Sequence, residues 1–183
     1  GVYFWDANDK QYLDFSSQLV NLNLGHQHPK MVKAIQEQAG KLWHTSNMFK
    51  IKGQEELAAK YCAHSFADVV FFTNSGTEAI EGSLKTVRKY HTANGNPDRV
   101  DIIGFQGSFH GRSYAAINAS GNAGYLEGFG PKLPGYLQAP FGDFDAVKTL
   151  VGPTTAGIII EPVQGEGGVR AAPDGFLKAL RKL

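Results

Sequence analysis

Asn74-Ser75-Gly76-Thr77-Glu78 places hydroxyls, a glycine and a carboxylate between an apolar run and a helical pattern. At a helix start the first N–H groups lack carbonyl partners, and with the helix dipole they form an anion site. Gly76 would let the backbone approach a phosphate closely, and Ser75 and Thr77 would add hydroxyl donors. The same residues also make a plain N-cap: Ser75 and Glu78 stand at the Ser-x-x-Glu spacing of a capping box. A phosphate and a cap use the same helix end, so both readings stand together.

Gly107-Ser108-Phe109-His110-Gly111-Arg112 sets an aromatic, an imidazole and a guanidinium between glycines. Phe109 could stack on a flat ring, and Arg112 could grip a carboxylate with its planar fork. A glycine-rich turn with a surface arginine explains the pattern as well. Glu161-Pro162-Val163-Gln164-Gly165-Glu166-Gly167-Gly168 places two carboxylates on a glycine-rich stretch. They could orient a cationic group, pair with an arginine, or form a glycosidase-like pair, though nothing else supports a sugar site. A flexible loop with solvated charges is the plainer alternative.

Other groups lead nowhere. His26 and His28 lack further ligands at metal-binding spacing, so no metal site is expected. His44, His64 and His91 read as structural or exposed. Ser108 and His110 are two apart on a loop, where a serine cannot meet its base, and no Gly-x-Ser-x-Gly elbow is present. Cys62, the only cysteine, reads as a packed thiol in a helix; with no internal disulfide possible, a reducing, cytoplasmic setting is expected.

These groups need elements to hold them. Val69–Phe72 and Asp101–Phe105 read as buried strands leading into the first two loops, and a strand at Ala156–Ile160 leads into the third. Helices are predicted at about 54–63, up to 93 from the Ser75 start, at 144–151 and at 176–183. Short apolar strands separated by helices predict an α/β three-layer sandwich with a mainly parallel sheet. In such sheets ligands bind beyond the carboxyl ends of the strands, where all three loops fall. Upstream, 2–5 and 11–15 read as a hairpin around the Asp6–Asp9 turn, and Pro29 opens a helix to about Leu42. The expected organisation is residues 1–50 as an N-terminal hairpin-and-helix segment and 51–183 as an α/β domain. Residues 120–142, rich in Gly and Pro, read as a long functional loop.

Composition bounds the partners. Across 183 residues the apolar fraction is 42%, the charged fraction 19% and the net charge +1. That is globular composition, with no basic field for nucleic acid, and no apolar run nears the ~18 residues needed to span a bilayer. The chain opens on Gly1 without Met and closes inside a helix pattern, so it reads as a fragment.

The three loops, in this order and spacing, closely resemble the class III aminotransferases, a family of fold-type-I pyridoxal-phosphate enzymes. Leu13-Asp14-Phe15, Gly25-His26-Gln27-His28-Pro29 and His44-Thr45-Ser46-Asn47 extend the resemblance over the whole chain, and Tyr125-Leu126-Glu127-Gly128-Phe129-Gly130-Pro131 looks most like the acetylornithine branch. The resemblance implies that Ser75, Gly76 and Thr77 hold the cofactor phosphate, that Phe109 stacks on the pyridine ring and that His110 lies beside it. It implies that Arg112 binds an α-carboxylate and that Glu161 supports the site floor. Glu166 resembles the switch glutamate that pairs with an arginine and moves aside for a dicarboxylate. Pyridoxal 5'-phosphate, an amino donor, a 2-oxo acid and a homodimeric parent are implied with them. So is a fold in which residues 1–50 supply small-domain and interface elements and 51–183 are the first part of the large cofactor-binding domain. The pyridine-pairing aspartate and the Schiff-base lysine of this family fall after Leu183, so no catalytic residue is assigned in this chain, which is expected to be inactive alone. Other branches acting on 4-aminobutyrate, ornithine or taurine, and a non-catalytic anion-binding or interaction module, are the alternatives.

Overall fold

The computed structural model describes residues 1–183, with the side chain of Val20 left aside. The chain divides into two compact units, Gly1–Val70 and Phe71–Leu183. The sequence boundary at residue 50 falls before a helix that this grouping places with the first unit.

In the first unit, β1 (Tyr3–Trp5) and β2 (Gln11–Leu13) pair antiparallel. The Asp6 carboxylate accepts from the Asn8 and Lys10 N–H groups and from the Tyr12 hydroxyl, which closes the turn. A single turn, α1 (Ser17–Val20), follows, with Ser17, Gln18 and Leu19 at positive φ. Helix α2 (Pro29–Ala39) begins at Pro29, whose missing N–H costs nothing at a first helical position. Helix α3 is Lys52–Ala63. Neither helix contains a buried residue. Asp14 Oδ2 lies 2.8 Å from His26 Nε2 and ties the end of the hairpin to the loop before α2. Burial acts to raise the Asp14 pKa, but hydrogen bonds from His26, Ser16 and Gln18 outweigh it and bring it down to about 2.

The second unit is built on β3 (Asp101–Phe105), β4 (Tyr136–Ala139) and β5 (Thr155–Ile158), all parallel, in the order β4-β3-β5. Alternate β3 residues face opposite layers. Ile103 and Phe105 pack with Val147 of α7 (Phe144–Leu150) and Phe176 of α8 (Phe176–Lys182). Ile102 packs with Leu84 of α4 (Gly76–Ala93) and Ala119 of α5 (Tyr114–Ala119). The predicted three-layer α/β arrangement is thus present. Gly104 shows why the centre of β3 carries a glycine: a Cβ there would collide with the Ala119 carbonyl oxygen. A short turn, α6 (Ala123–Leu126), and the small antiparallel pair β6 (Val163–Gln164) and β7 (Arg170–Ala171) complete the unit.

Two expectations are corrected. Val69–Phe72 is not a strand: it joins no ladder, and Val69 and Phe71 are each 84% exposed. Its apolar composition suits a buried strand, but a strand exists only where a neighbour accepts its hydrogen bonds. Residues 120–142 are not one loop either, because they contain α6 and the edge strand β4.

Candidate active site

The chemistry-bearing loops meet at the carboxyl end of the sheet, beside the start of α4. Ser75 is the N-cap of α4, in extended conformation, and its Oγ accepts from the Glu78 N–H at 3.2 Å. Glu78 reaches back past Ser75 to the N–H and side-chain amide of Asn74, at 3.1 and 3.0 Å. The cap is therefore real. It leaves the N–H groups of Gly76 and Thr77 without an acceptor among the described residues.

Leaving β3, the chain turns at Gly107 and passes directly over this helix start. Gly111 has a φ of 110°, and a Cβ on it would lie 3.0 Å from Thr77 Oγ1. Only glycine combines that backbone with that approach. The loop is held from the other side by β6. Gln164, fully buried, donates through Nε2 to the Gln106 carbonyl at 2.9 Å and to Ser108 Oγ at 3.1 Å. The Glu161 carboxylate accepts from the Phe109 N–H at 3.0 Å. Ser113 donates to Glu81 of α4, fixing the far end of the loop.

The result is a cavity of about 340 Å³ lined by Ser75, Gly76, Thr77, Ile80, Phe109, His110, Gly111 and Arg112. Six residues singled out by sequence line it together: Ser75, Gly76, Thr77, Phe109, His110 and Arg112. Glu161 acts behind it, through the Phe109 backbone. Glu166 sits exposed on the β6–β7 turn and does not line the cavity.

His110 is 5% exposed, and its Nε2 is buried with no hydrogen-bond partner. Burial lowers its pKa below the ordinary imidazole value, and the nearby Glu161 charge offsets this only in part. A neutral ring with a free buried nitrogen is left at the cavity wall. Such an atom costs stability unless a ligand meets it.

Arg112 has no carboxylate within salt-bridge distance among the described residues. Its guanidinium lies 5.9 Å from the Phe109 ring centre and 5.5 Å from that of Tyr125. It also lines a second cavity, of about 420 Å³, with Tyr114, Ile117, Gly124, Tyr125 and Phe129. Sequence reading assigned no site role to Tyr125 or Gln164. Tyr125 lay in the Gly- and aromatic-rich stretch, which pointed to a binding loop without saying which ring mattered. Gln164 lay inside the third motif, between two more conspicuous carboxylates.

A helix start with unpaired N–H groups, an aromatic face, a buried imidazole and an unpaired guanidinium therefore converge on one cleft. That set fits a flat phosphorylated cofactor beside a carboxylate-bearing substrate: phosphate at Gly76–Thr77, ring against Phe109, carboxylate at Arg112.

Comparison with known proteins agrees. The family described as Aminotransferase class-III matches residues 1–183. Acetylornithine aminotransferase 2 of Caulobacter vibrioides is 61% identical over 184 residues, covering all of this chain and 45% of that protein. Acetylornithine aminotransferase 1 of Bradyrhizobium diazoefficiens is 56% identical, again over the whole chain and 45% of its own length. Among solved structures, an ornithine aminotransferase from Toxoplasma gondii superposes with a TM-score of 0.91 at 31% identity, covering the whole chain and 44% of that structure. An N-acetylornithine aminotransferase from Stenotrophomonas maltophilia gives 0.82 at 36% identity, covering the whole chain and 45% of its own. The chain spans about half the length of the curated relatives it matches.

Proposed function

The chain belongs to the class III aminotransferase family, and we propose that it builds the phosphate and carboxylate sites of a pyridoxal-phosphate enzyme that moves the ω-amino group of N-acetylornithine to 2-oxoglutarate. The observation that carries this reading is the single cavity joining Ser75, Gly76 and Thr77 to Phe109, His110 and Arg112. Identity of 61% and 56% to acetylornithine aminotransferases favours that donor over others used in the family.

Each residue then has a task. The N–H groups of Gly76 and Thr77 bind the cofactor phosphate, helped by the Ser75 and Thr77 hydroxyls and the α4 dipole. Phe109 supports the ring, and the Glu161 carboxylate fixes the Phe109 backbone that carries it. His110, buried and neutral, lines the same cleft beside Phe109. Bound there, pyridoxal phosphate supplies the electron sink that lets a C–H bond next to the substrate nitrogen break. Arg112 orients the donor by its α-carboxylate. Glu166, exposed and with no hydrogen bond or ion pair among the described residues, is free to pair with an arginine and to yield to a dicarboxylate. No lysine lines the cavity, so the group that holds the cofactor covalently comes from outside this set of residues. In this reading the enzyme works as a homodimer.

The test is steady-state kinetics of the full-length protein with N-acetylornithine and 2-oxoglutarate. Glutamate formation is expected. The Arg112→Ala variant should raise KM for N-acetylornithine about 10- to 100-fold, the usual worth of a hydrogen-bonded charge. An unchanged KM would remove Arg112 from the substrate site. Residues 1–183 alone should transfer no amino group.

A further inference from the structure

We propose that Tyr125 is a positioning residue for Arg112, and that selection of a carboxylate-bearing donor depends on it; this rests on the reading of Arg112 given above. A free arginine side chain samples many rotamers, and an anion must order it at the cost of that freedom. Here two aromatic rings flank it. The guanidinium stands 5.5 Å from the Tyr125 ring centre and 5.9 Å from that of Phe109. The two rings meet edge to face, with centres 6.2 Å apart and planes at 83°. A cation touching two aromatic rings set at right angles is restricted in two directions, while its N–H fork stays open to an anion.

The backbone that carries Tyr125 is itself held. It sits on the short turn α6, capped by Asn122, whose side chain accepts from the Gly124 N–H at 3.1 Å. The chain beyond the turn is tied back to α5. The Tyr114 hydroxyl, which has one proton, lies 2.7 Å from the Pro131 carbonyl and 3.1 Å from that of Phe129, and Asn118 Oδ1 accepts from the Leu133 N–H at 2.8 Å. Tyr125 and Phe129 also wall the second cavity that Arg112 borders. Phe109, the ring expected to support the cofactor, is thus also one jaw of the clamp on Arg112. Tyr125 is the jaw that lines the second cavity and not the cofactor cleft.

The experiment compares the full-length enzyme with its Tyr125→Leu and Tyr125→Phe variants. Tyr125→Leu should raise KM for N-acetylornithine about three- to tenfold and leave kcat within about twofold. Tyr125→Phe keeps the ring and should restore the wild-type KM. The second readout is the Arg112 Nε–H proton resonance of the arginine-labelled holoenzyme. Contact with the rings should displace it from the resonances of the other arginines, and Tyr125→Leu should move it back toward them. An unchanged KM in Tyr125→Leu, a loss of kcat instead, or a Tyr125→Phe variant as poor as Tyr125→Leu would overturn the proposal. So would an undisplaced Arg112 resonance in the wild type, which decides the matter even if Tyr125→Leu does not fold. If the wild type forms no glutamate, the proposed function fails, while the resonance still tests the clamp.

Discussion

Helices α2 and α4 carry the same kind of message in their sequences, apolar residues at helical spacing, and end in different surroundings. On α4, Leu84 is 4% exposed against Ile102, Ala119 and Tyr136, with Ile80 and Val87 beside it. On α2, Met31, Val32 and Ile35 are 50%, 37% and 65% exposed. An apolar stripe therefore states that a helix has a partner to find, not that it has found one within its own unit. The contrast extends to the site. The second unit packs a core and then sets its functional loops on it, whereas the first unit is held by turns, the β1–β2 ladder and the Asp14–His26 contact.

The largest effect should come from the core beneath the site. Phe105 is fully buried, with Phe141 and Phe176 edge-on to it at 6.1 and 5.8 Å. Phe105→Ala should cost about 3–5 kcal/mol in urea unfolding, through lost transfer energy and the cavity left behind. A cost below about 1 kcal/mol would mean that the second unit is no better packed than the first, and the contrast would collapse.

Ser75→Ala probes the boundary between core and site. Its Oγ caps α4, so removing it should cost about 1 kcal/mol of stability. Thermal melting without cofactor reads the cap alone, since no phosphate is present to share the helix end.

In the first unit the corresponding test is pH. The folded pKa of Asp14, about 2, lies below its ordinary value of 3.8. The folded state therefore holds this proton less readily than the unfolded one. The stabilisation is fully present above pH 3.8 and is lost as pH falls through about 2. Asp14→Asn should flatten this part of the stability profile of the first unit. An unaltered acid limb would show that Asp14 and His26 do not hold the hairpin to the loop.

How much of this was readable beforehand follows the same division. β3 and α4 were legible from Asp101 to Phe105 and from Gly76 to Ala93, because their neighbours confirm what their own residues prefer. Val69–Phe72 has the composition of a buried strand and is not one, since pairing belongs to a neighbour and not to the segment. β4 escaped because Tyr136–Ala139 is short, carries Gln138 and follows a run of Gly and Pro that reads as loop. In the site, Ser75–Thr77, Phe109 and Arg112 were legible because each motif is local. Tyr125 and Gln164 act on loops 13 or more residues away (Tyr125 on Arg112, Gln164 on Ser108), and such contacts leave no spacing in a single sequence.

The smallest expected effect is the sharpest test of the contrast. Ile35 lies mid-helix on α2 and is 65% exposed, so Ile35→Ala removes few buried contacts and adds a residue of higher helix propensity. Its stability change should stay within about 0.5 kcal/mol when this chain is unfolded by urea. In the full-length protein the same substitution answers a different question. If something there covers the α2 stripe, Ile35 becomes a buried residue and the cost should rise to about 2–5 kcal/mol. Equal small costs in both would mean that the stripe on α2 stays in water, and that its helical spacing carries no packing information at all.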